Sequence, residues 1–236
     1  MPLSLIARNL MTTQPDLTLY ITYKNYSSWS LRAWLLMRAL EIPFTEKLLE
    51  MTDDGHVPGM VGISPTAKVP CLVDHGMGGL TVWETVAIAE YLDELHPDLG
   101  VWPEHVADRA TARALVAEMH GGFSALRGEC PMNLRRAPAP LAVSDDVRRD
   151  VARAEAIFDS CLTSTKSQSD GLFLMGQFSA VDAFYAPLAT RLVTYQLSDH
   201  PAVAAFMAAL ESLPAWQEWH AAAMREMVII AADEVD

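Results

Sequence analysis

The hydrophobic pattern at the start of the chain alternates between short strand-like runs and a helix-like run. Leu17–Thr22 has strand composition with mild alternation, so it predicts a strand. Leu31–Leu40 carries apolar residues at the spacing of a helix packed on a sheet. Pro43 ends that helix, because proline disfavours helical geometry in the residue before it. Phe44–Glu50 alternates again and predicts a second strand, which a helical crossover would place parallel to the first.

The next part of the pattern predicts a hairpin and a second helix. Lys68–Asp74 and Leu80–Trp83 read as strands, and the glycine-rich turn between them predicts an antiparallel pair. Glu84 and Thr85 then open a strongly amphipathic helix over Val86–Leu95, with Thr85 as the capping residue. The order of elements is therefore β-α-β-β-β-α, which indicates one compact α/β unit.

After Pro103 the pattern is helical throughout, with irregular connections that include Thr163–Asp170. This change predicts a boundary between an α/β domain and an all-helical domain near residues 97–104. We expect a flexible leader over residues 1–16, a thioredoxin-like domain over 17–97 and an all-helical domain over 104–236. The predicted helices of the second half are Glu104–Leu134, Asp145–Leu162, Val181–Leu197, Pro201–Leu213 and Ala215–Met227.

Composition and charge narrow the class of function. The chain has 236 residues, 51% of them hydrophobic, which is ample for a core. Its formal net charge of −13 argues against a nucleic-acid partner, which needs a basic face. Three scattered cysteines form no CxxC pair, so they predict neither disulfides nor zinc and favour a reducing cytoplasm. No long uncharged apolar run predicts a membrane span.

Candidate chemistry lies at the junction between the first strand and the first helix. Ser27, Ser28 and Ser30 crowd this junction, and no cysteine does. A hydroxyl there lies close to a helix N-terminus, where unpaired amides and the macrodipole favour negative charge. The junction is therefore suited to stabilising an anion, such as a thiolate that belongs to a bound ligand.

The ordered set of motifs resembles the glutathione S-transferase family. The set comprises the serine junction, the Lys68-Val69-Pro70 strand start, the Glu84-Thr85 helix start and a helical second half, and it covers residues 17–225. The resemblance implies a thioredoxin-like N-terminal domain, an all-helical C-terminal domain, glutathione as co-substrate and a cytoplasmic homodimer.

The resemblance also implies which residues bind glutathione. Pro70 would follow a cis peptide bond, and the backbone of Val69 would pair with the cysteinyl part of glutathione. Glu84 and Thr85 would bind the γ-glutamyl end, and Lys68 would add positive charge for a carboxylate. Each residue has a plainer interpretation as well: an edge proline, an acidic helix start and a solvated lysine.

The family pattern ranks the serines. The zeta-like sequence Ser-Ser-Cys-Ser-x-Arg corresponds to residues 27–32, so Ser27 is the first choice for the catalytic hydroxyl and Ser28 the second, with Ser30 as a cap. Trp29 stands where that pattern has cysteine, which leaves the subclass open. A tyrosine-assisted thiolate is the alternative, and its candidates are Tyr20, Tyr23 and Tyr26.

Two further predictions concern the helical half. A helix expected to face the substrate carries Met119, His120, Phe123, Leu126 and Arg127, of which the first three are the predicted pocket residues, although such a stripe also suits an ordinary core. Ser179 and Asp182 match a capping box at a helix start, with a structural role.

The sequence thus predicts a glutathione transferase that joins the glutathione thiolate to a small, largely apolar electrophile. A zeta-like cis-trans isomerase and a non-catalytic glutathione-binding protein remain alternatives. A thiol-disulfide oxidoreductase is disfavoured, because the junction lacks cysteine.

Overall fold

The computed structural model describes residues 16–166 and 172–235. A four-stranded sheet comes first, with the spatial order β2-β1-β3-β4. The strands are β1 Leu17–Ile21, β2 Thr45–Leu48, β3 Cys71–Asp74 and β4 Leu80–Trp83. The helices are α1 Ser28–Ala39, α2 Thr85–Leu95, α3 Val106–Gly121, α4 Ser124–Glu129, α5 Asp145–Lys166, α6 Ala180–Thr194, α7 Pro201–Ser212 and α8 Pro214–Ala223, with short 3-10 turns at Pro58–Met60 and Ala231–Asp233.

The strand pairing confirms the predicted thioredoxin-like topology. β1 runs parallel to β2, with Leu19 opposite Glu46, because α1 provides the crossover between them. β3 and β4 form the predicted antiparallel hairpin, and β3 also pairs antiparallel with β1. The two central strands of the sheet are therefore β1 and β3, and β1 leads directly into the turn before α1.

The hydrophobic core continues from the sheet into the helices that follow. Helix α1 packs on α6, which is buried along almost its whole length. Trp34 of α1 is fully buried against Trp219 of α8, with 5.1 Å between ring centroids. The α1 helix thus holds the sheet against the helical half. No described helix is long and apolar enough to cross a membrane.

Two helix boundaries differ from the sequence prediction. Helix α1 begins at Ser28 rather than Leu31, because Ser27 and not Ser30 is its N-cap. The predicted helix over residues 104–134 is two helices, since Phe123 adopts a left-handed conformation (φ 54°) that ends α3 at Gly121. The start of α6 confirms the predicted capping pair, because the Asp182 carboxylate accepts from the Ser179 amide at 2.9 Å.

Residues 224–235, called the C-terminal segment below, pack over the turn that precedes α1. The carboxylate of Glu226 accepts from the backbone amides of Lys24 (2.7 Å) and Asn25 (2.9 Å). The Tyr26 hydroxyl donates to Glu234 at 2.5 Å, and the buried side chain of Ile230 packs on Tyr26. This segment therefore fixes the entry to α1 from a distance of about two hundred residues along the chain.

Two predicted segments fall partly or wholly outside the described residues. Of the predicted leader, residues 1–16, only Asp16 is described. Of the predicted connection over residues 163–170, the first four residues continue α5 to Lys166, and the remainder is not described.

Candidate functional site

The hydroxyl of Ser27 is engaged with Ser30 at the start of α1. Ser27 Oγ accepts from the Ser30 amide at 3.2 Å and donates to Ser30 Oγ at 2.8 Å. Ser30 is completely buried, and its hydroxyl also accepts from the Thr22 amide at 3.3 Å. Ser27 therefore caps the helix, a role that the sequence had given to Ser30.

The hydroxyl of Ser28 has a different neighbour. Ser28 is 7% exposed and lies in the first turn of α1, where the helix amides are unpaired. Its Oγ accepts from Arg191 Nη2 at 3.3 Å. A guanidinium that donates to a hydroxyl oxygen polarises the O–H bond, so the Ser28 proton becomes a better hydrogen-bond donor.

The residues predicted to bind glutathione meet in one cavity of about 110 Å³. The Val69–Pro70 peptide is cis, and Pro70 directly precedes β3. Glu84 directly follows β4, and Thr85 is the first residue of α2. The cavity is lined by Trp29, Thr66, Lys68, Val69, Pro70, Glu84 and Thr85.

Ser27 and Ser28 line a second, adjacent cavity of about 350 Å³ rather than the first. The remaining lining of this cavity comes from the loop around Asp54 and from the C-terminal segment, which contributes Ile230 and Asp233. Trp29 borders both cavities. The structure therefore brings the predicted glutathione-binding residues together in the first cavity. Trp29, which borders both cavities, separates these residues from the two serines.

The Glu84-Thr85 pair begins α2 in an unusual conformation. Glu84 is the N-cap residue and has φ 68°, a left-handed value that is costly for a residue with a side chain. Its side chain makes no capping bond, and Thr85 is the first helical residue rather than the cap, which corrects the sequence prediction. The Thr85 hydroxyl lies instead 3.5 Å from His120 Nδ1.

His120 is the residue of the helical half that reaches this pair. Its Nε2 lies 3.5 Å from Glu84 Oε2, and its ring meets Trp29 edge-on at 5.2 Å. Burial lowers the pKa of His120, and the positive charges of Arg32 and Arg127 lower it further, while Glu84 raises it. The imidazole of α3 therefore contacts Trp29 and Glu84, which both line the first cavity.

The other two predicted substrate contacts are core residues. Met119 is fully buried and Phe123 is 5% exposed, with the Phe123 ring packed on Tyr185 at 6.4 Å. Met119 is enclosed because α3 packs on α6, and Phe123, the N-cap residue of α4, is enclosed by its contact with Tyr185 of α6. Among the predicted trio, His120 alone borders the site through its contacts with Trp29 and Glu84.

Of the three candidate tyrosines, Tyr26 has contacts that fit the role of a thiolate donor poorly. The Tyr26 hydroxyl is held by Glu234 and by Arg135, at 2.5 and 2.8 Å. Burial raises the pKa of Tyr26, and the hydrogen bond to Glu234 adds to that effect. A hydroxyl that already donates to a carboxylate is not available to a thiolate.

Sequence reasoning placed Arg127 on the helix expected to face the substrate, but it missed the packing of arginines on Trp29 and the contact of Arg191 with Ser28. The guanidinium carbon of Arg32 lies 4.1 Å from the Trp29 ring centroid, and that of Arg127 lies 4.8 Å from it. Arg32 is part of the serine motif, so the sequence did contain this signal. Arg127 and Arg191 reach the junction only through the packing of the helical half.

A thioredoxin-like sheet followed by a helical half, with a cis-proline cavity beside α1, is the arrangement that the sequence resemblance to the glutathione transferases implies. Residues 26–95 match the family described as the glutathione S-transferase N-terminal domain. A solved glutathione transferase homolog from Burkholderia GL BGR1, with bound glutathione, superposes with a TM-score of 0.68 at 20% identity, over 89% of this chain and 100% of that one. Residues 26–95 therefore form a glutathione S-transferase N-terminal domain, and the chain as a whole shares the fold of the solved glutathione transferase homolog.

Two curated relatives match the chain in part. It is 31% identical over 108 residues to a probable maleylacetoacetate isomerase of Caenorhabditis elegans, a match that covers 46% of this chain and 48% of the relative. It is 32% identical over 76 residues to the transcriptional regulator URE2 of Saccharomyces cerevisiae, over 30% of this chain and 22% of the regulator. The chain thus spans half or less of the length of these relatives.

Proposed function

We propose that this protein is a glutathione transferase, which joins the thiolate of glutathione to an electrophilic carbon of a small substrate. The observation that carries the proposal is the cavity in which Val69, Pro70, Glu84 and Thr85 meet beside the start of α1. This arrangement offers backbone hydrogen bonds, a helix N-terminus and an acidic side chain at one place.

Each part of glutathione has a complementary group in this cavity. The backbone of Val69, which lines the cavity, would pair with the cysteinyl residue. The N-terminal amides of α2 would bind the γ-glutamyl carboxylate, and Glu84 would bind its ammonium group. Lys68, an exposed cation on the same wall, would bind the glycyl carboxylate.

A serine hydroxyl would stabilise the thiolate. Lowering the thiol pKa by about 2 units from its usual value near 8.5 requires about 2.7 kcal/mol. One hydroxyl donor and the positive end of α1 can supply that amount. The contacts support Ser28 over Ser27 for this role, because the Ser27 hydroxyl already donates to Ser30, whereas Ser28 accepts from Arg191 and keeps its proton for another acceptor.

The chemical step then needs little from the protein beyond position. The thiol proton leaves to solvent, and a sulfur electron pair forms the new carbon–sulfur bond. In an addition, the displaced π pair takes up a proton. In a substitution, the leaving group departs with its bonding pair. The serine donates a hydrogen bond throughout and forms no covalent bond.

Two alternatives each have one supporting observation. The likeness to a probable maleylacetoacetate isomerase favours an isomerase that adds and removes the same thiolate reversibly. The likeness to a transcriptional regulator favours a glutathione-binding protein without turnover. The resemblance further leads us to propose a homodimer, which light scattering of the purified protein tests, and the three scattered cysteines lead us to propose a reducing cytoplasm.

The test of the proposed function combines binding and turnover. Titration calorimetry should detect glutathione binding, and Glu84→Gln should weaken it about tenfold, since a hydrogen bond to a charged group contributes about 1.5–3 kcal/mol. Glu104→Gln, a substitution outside the cavity, is the matched control. Binding without conversion of any electrophile would support the binding protein, and absence of binding would refute the proposal.

A further inference from the structure

An arginine of α6 is buried where α6 packs on α1. Arg191 is 4% exposed, and its Nη2 donates to Ser28 Oγ at 3.3 Å. Its other groups bind carbonyl oxygens, because Nε donates to Cys130 at 2.8 Å and Nη1 donates to Pro187 at 2.9 Å. These three hydrogen bonds fix the planar guanidinium, so the Ser28 oxygen faces a donor whose position is defined by the helical half.

The charge of Arg191 is not neutralised by an acidic partner. No carboxylate of the described residues lies at ion-pair distance from its guanidinium. Burial and the nearby charge of Arg127 lower the pKa of Arg191 to about 10, so the side chain stays charged at neutral pH. A buried charge without a counterion is costly, and an apolar side chain is often more stable in such a place. Core stability alone therefore does not account for this arginine.

The hydrogen bond from Arg191 leaves the Ser28 hydroxyl ready to act as a donor. The oxygen of Ser28 accepts from the guanidinium, and its own proton has no acceptor among the residues that the structure describes. A hydroxyl that accepts from a cation is a stronger donor through its proton. Ser28 lines the cavity beside the serine junction, so a ligand in that cavity can supply the missing acceptor.

The carboxylates of the same cavity act against an anion. Asp53, Asp54 and Asp233 all belong to its lining. Asp53 and Asp54 are exposed, so solvent screens their charges. Asp233 of the C-terminal segment is half-buried, and its charge and that of Arg191 act on each other. Arg191 and Asp233 are therefore the two charges of opposite sign with the least screening near Ser28.

We propose that Arg191 is a positioning residue of the thiolate site, which stabilises the glutathione thiolate through the Ser28 hydroxyl, while Asp233 opposes it. A sulfur that accepts from Ser28 would lie about 6 Å from the guanidinium, because both hydrogen bonds share one oxygen. An opposite charge at that distance lowers a pKa by about 1 unit. This inference rests on the proposed transferase function for its ligand. It adds that the helical half sets the acidity of a thiol held by the N-terminal domain.

The thiol pKa of bound glutathione, obtained from thiolate absorbance against pH, tests this role. Arg191→Met should raise the thiol pKa by about 1 unit, because methionine fills the buried site without a donor or a charge. Arg191→Lys should raise it less, since a charge remains. Arg148→Gln, which removes an exposed arginine of α5, is the matched control and should leave the thiol pKa unchanged.

Two further comparisons separate electrostatics from damage to the fold. Asp233→Asn lies outside the core and should lower the thiol pKa by about half a unit, because it removes a partly screened negative charge. Structural damage would not give shifts of opposite sign at Arg191 and Asp233. In a Ser28→Ala background, Arg191→Met should shift the thiol pKa by less than it does in the wild type, because the hydroxyl that links them is gone.

A low thiol pKa that persists in Arg191→Met would overturn the inference and leave the proposed function standing. Equal shifts with and without the Ser28 hydroxyl would show that Arg191 does not act through it. If Arg191→Met does not fold, Asp233→Asn decides, and a thiol pKa that fails to fall would overturn the opposition of the two charges. A wild-type thiol pKa near its usual value of about 8.5 would instead refute the proposed thiolate stabilisation itself.

Discussion

The imidazole of His120 lies 3.5 Å from the carboxylate of Glu84, so a residue of the helical half contacts the acid proposed to bind the glutathione ammonium group. The same ring lies 3.5 Å from the Thr85 hydroxyl. Protonated His120 and the ammonium group of glutathione would therefore compete for one carboxylate. Protonation of His120 should then oppose glutathione binding.

We predict that glutathione binding weakens as His120 becomes protonated. The pKa of His120 is lowered from its ordinary value of 6.5 by burial and by Arg32 and Arg127, so the ring is neutral near pH 7 and is protonated only on acidification below pH 6.5. The dissociation constant should rise about fivefold between about pH 7.5 and about pH 5, since a partly exposed ion pair contributes up to about 1 kcal/mol.

His120→Gln should bind glutathione with little dependence on pH over the same range. His105→Gln provides the control, because His105 precedes the same helix and faces Asp108 at the surface. Calorimetric titrations at several pH values measure the dissociation constant for glutathione of the wild type, His120→Gln and His105→Gln. An unchanged pH dependence in His120→Gln would show that another group titrates.

Ser27→Ala should lower the free energy of unfolding by about 1 kcal/mol, because it removes the N-cap of α1. Denaturant unfolding measures this change. Ser124→Ala, an exposed serine in the first turn of α4, should change stability much less. A fully stable Ser27→Ala would mean that the hydroxyl does not cap the helix in solution.

Asp182 should make stability fall as the pH rises. Burial raises its pKa to about 7, although the amides of Leu174 and Ser179 act in the opposite direction. A group whose pKa is higher in the folded state contributes stability that is complete below its unfolded value, near 3.8, and is lost as the pH rises through about 7.

Asp182→Asn should therefore be most destabilised, relative to wild type, at about pH 4 or below, and the difference should shrink progressively up to about pH 8. Unfolding curves across this range provide the measurement. A gap between the two proteins that stays constant with pH would contradict the raised pKa.

Glu226→Ala should destabilise the entry to α1 by about 2 kcal/mol, because the carboxylate accepts from two backbone amides. Glu226→Gln should cost less, since an amide oxygen keeps one acceptor. Glu211→Ala, a change on the surface of α7, is the control. If Glu226→Ala is as stable as the control, the C-terminal segment does not hold the turn.

The local elements of this fold follow from its sequence. Alternation along Leu17–Thr22 and Leu80–Trp83 located two strands, and the structure has them at Leu17–Ile21 and Leu80–Trp83. The capping pair of Ser179 and Asp182 was also readable, because both partners lie within one turn. Such features depend on residues that are close in the chain.

The features that sequence reasoning missed depend on distant residues. Nothing near Glu226 indicates that its carboxylate binds the amides of Lys24 and Asn25, two hundred positions earlier. The choice of Ser27 over Ser30 as the cap follows from a hydroxyl pair that only the folded turn creates. Periodicity likewise gave no sign that Phe123 takes a left-handed conformation and divides the predicted helix.

The thiol pKa of bound glutathione tests the central claim most directly. Ultraviolet absorbance of the thiolate, followed against pH, should give a value about 2 units below the usual 8.5 in the wild type. Ser28→Ala should return it most of the way to that value, and Ser27→Ala should change it less. A thiol pKa that stays low in both variants would contradict thiolate stabilisation by either serine.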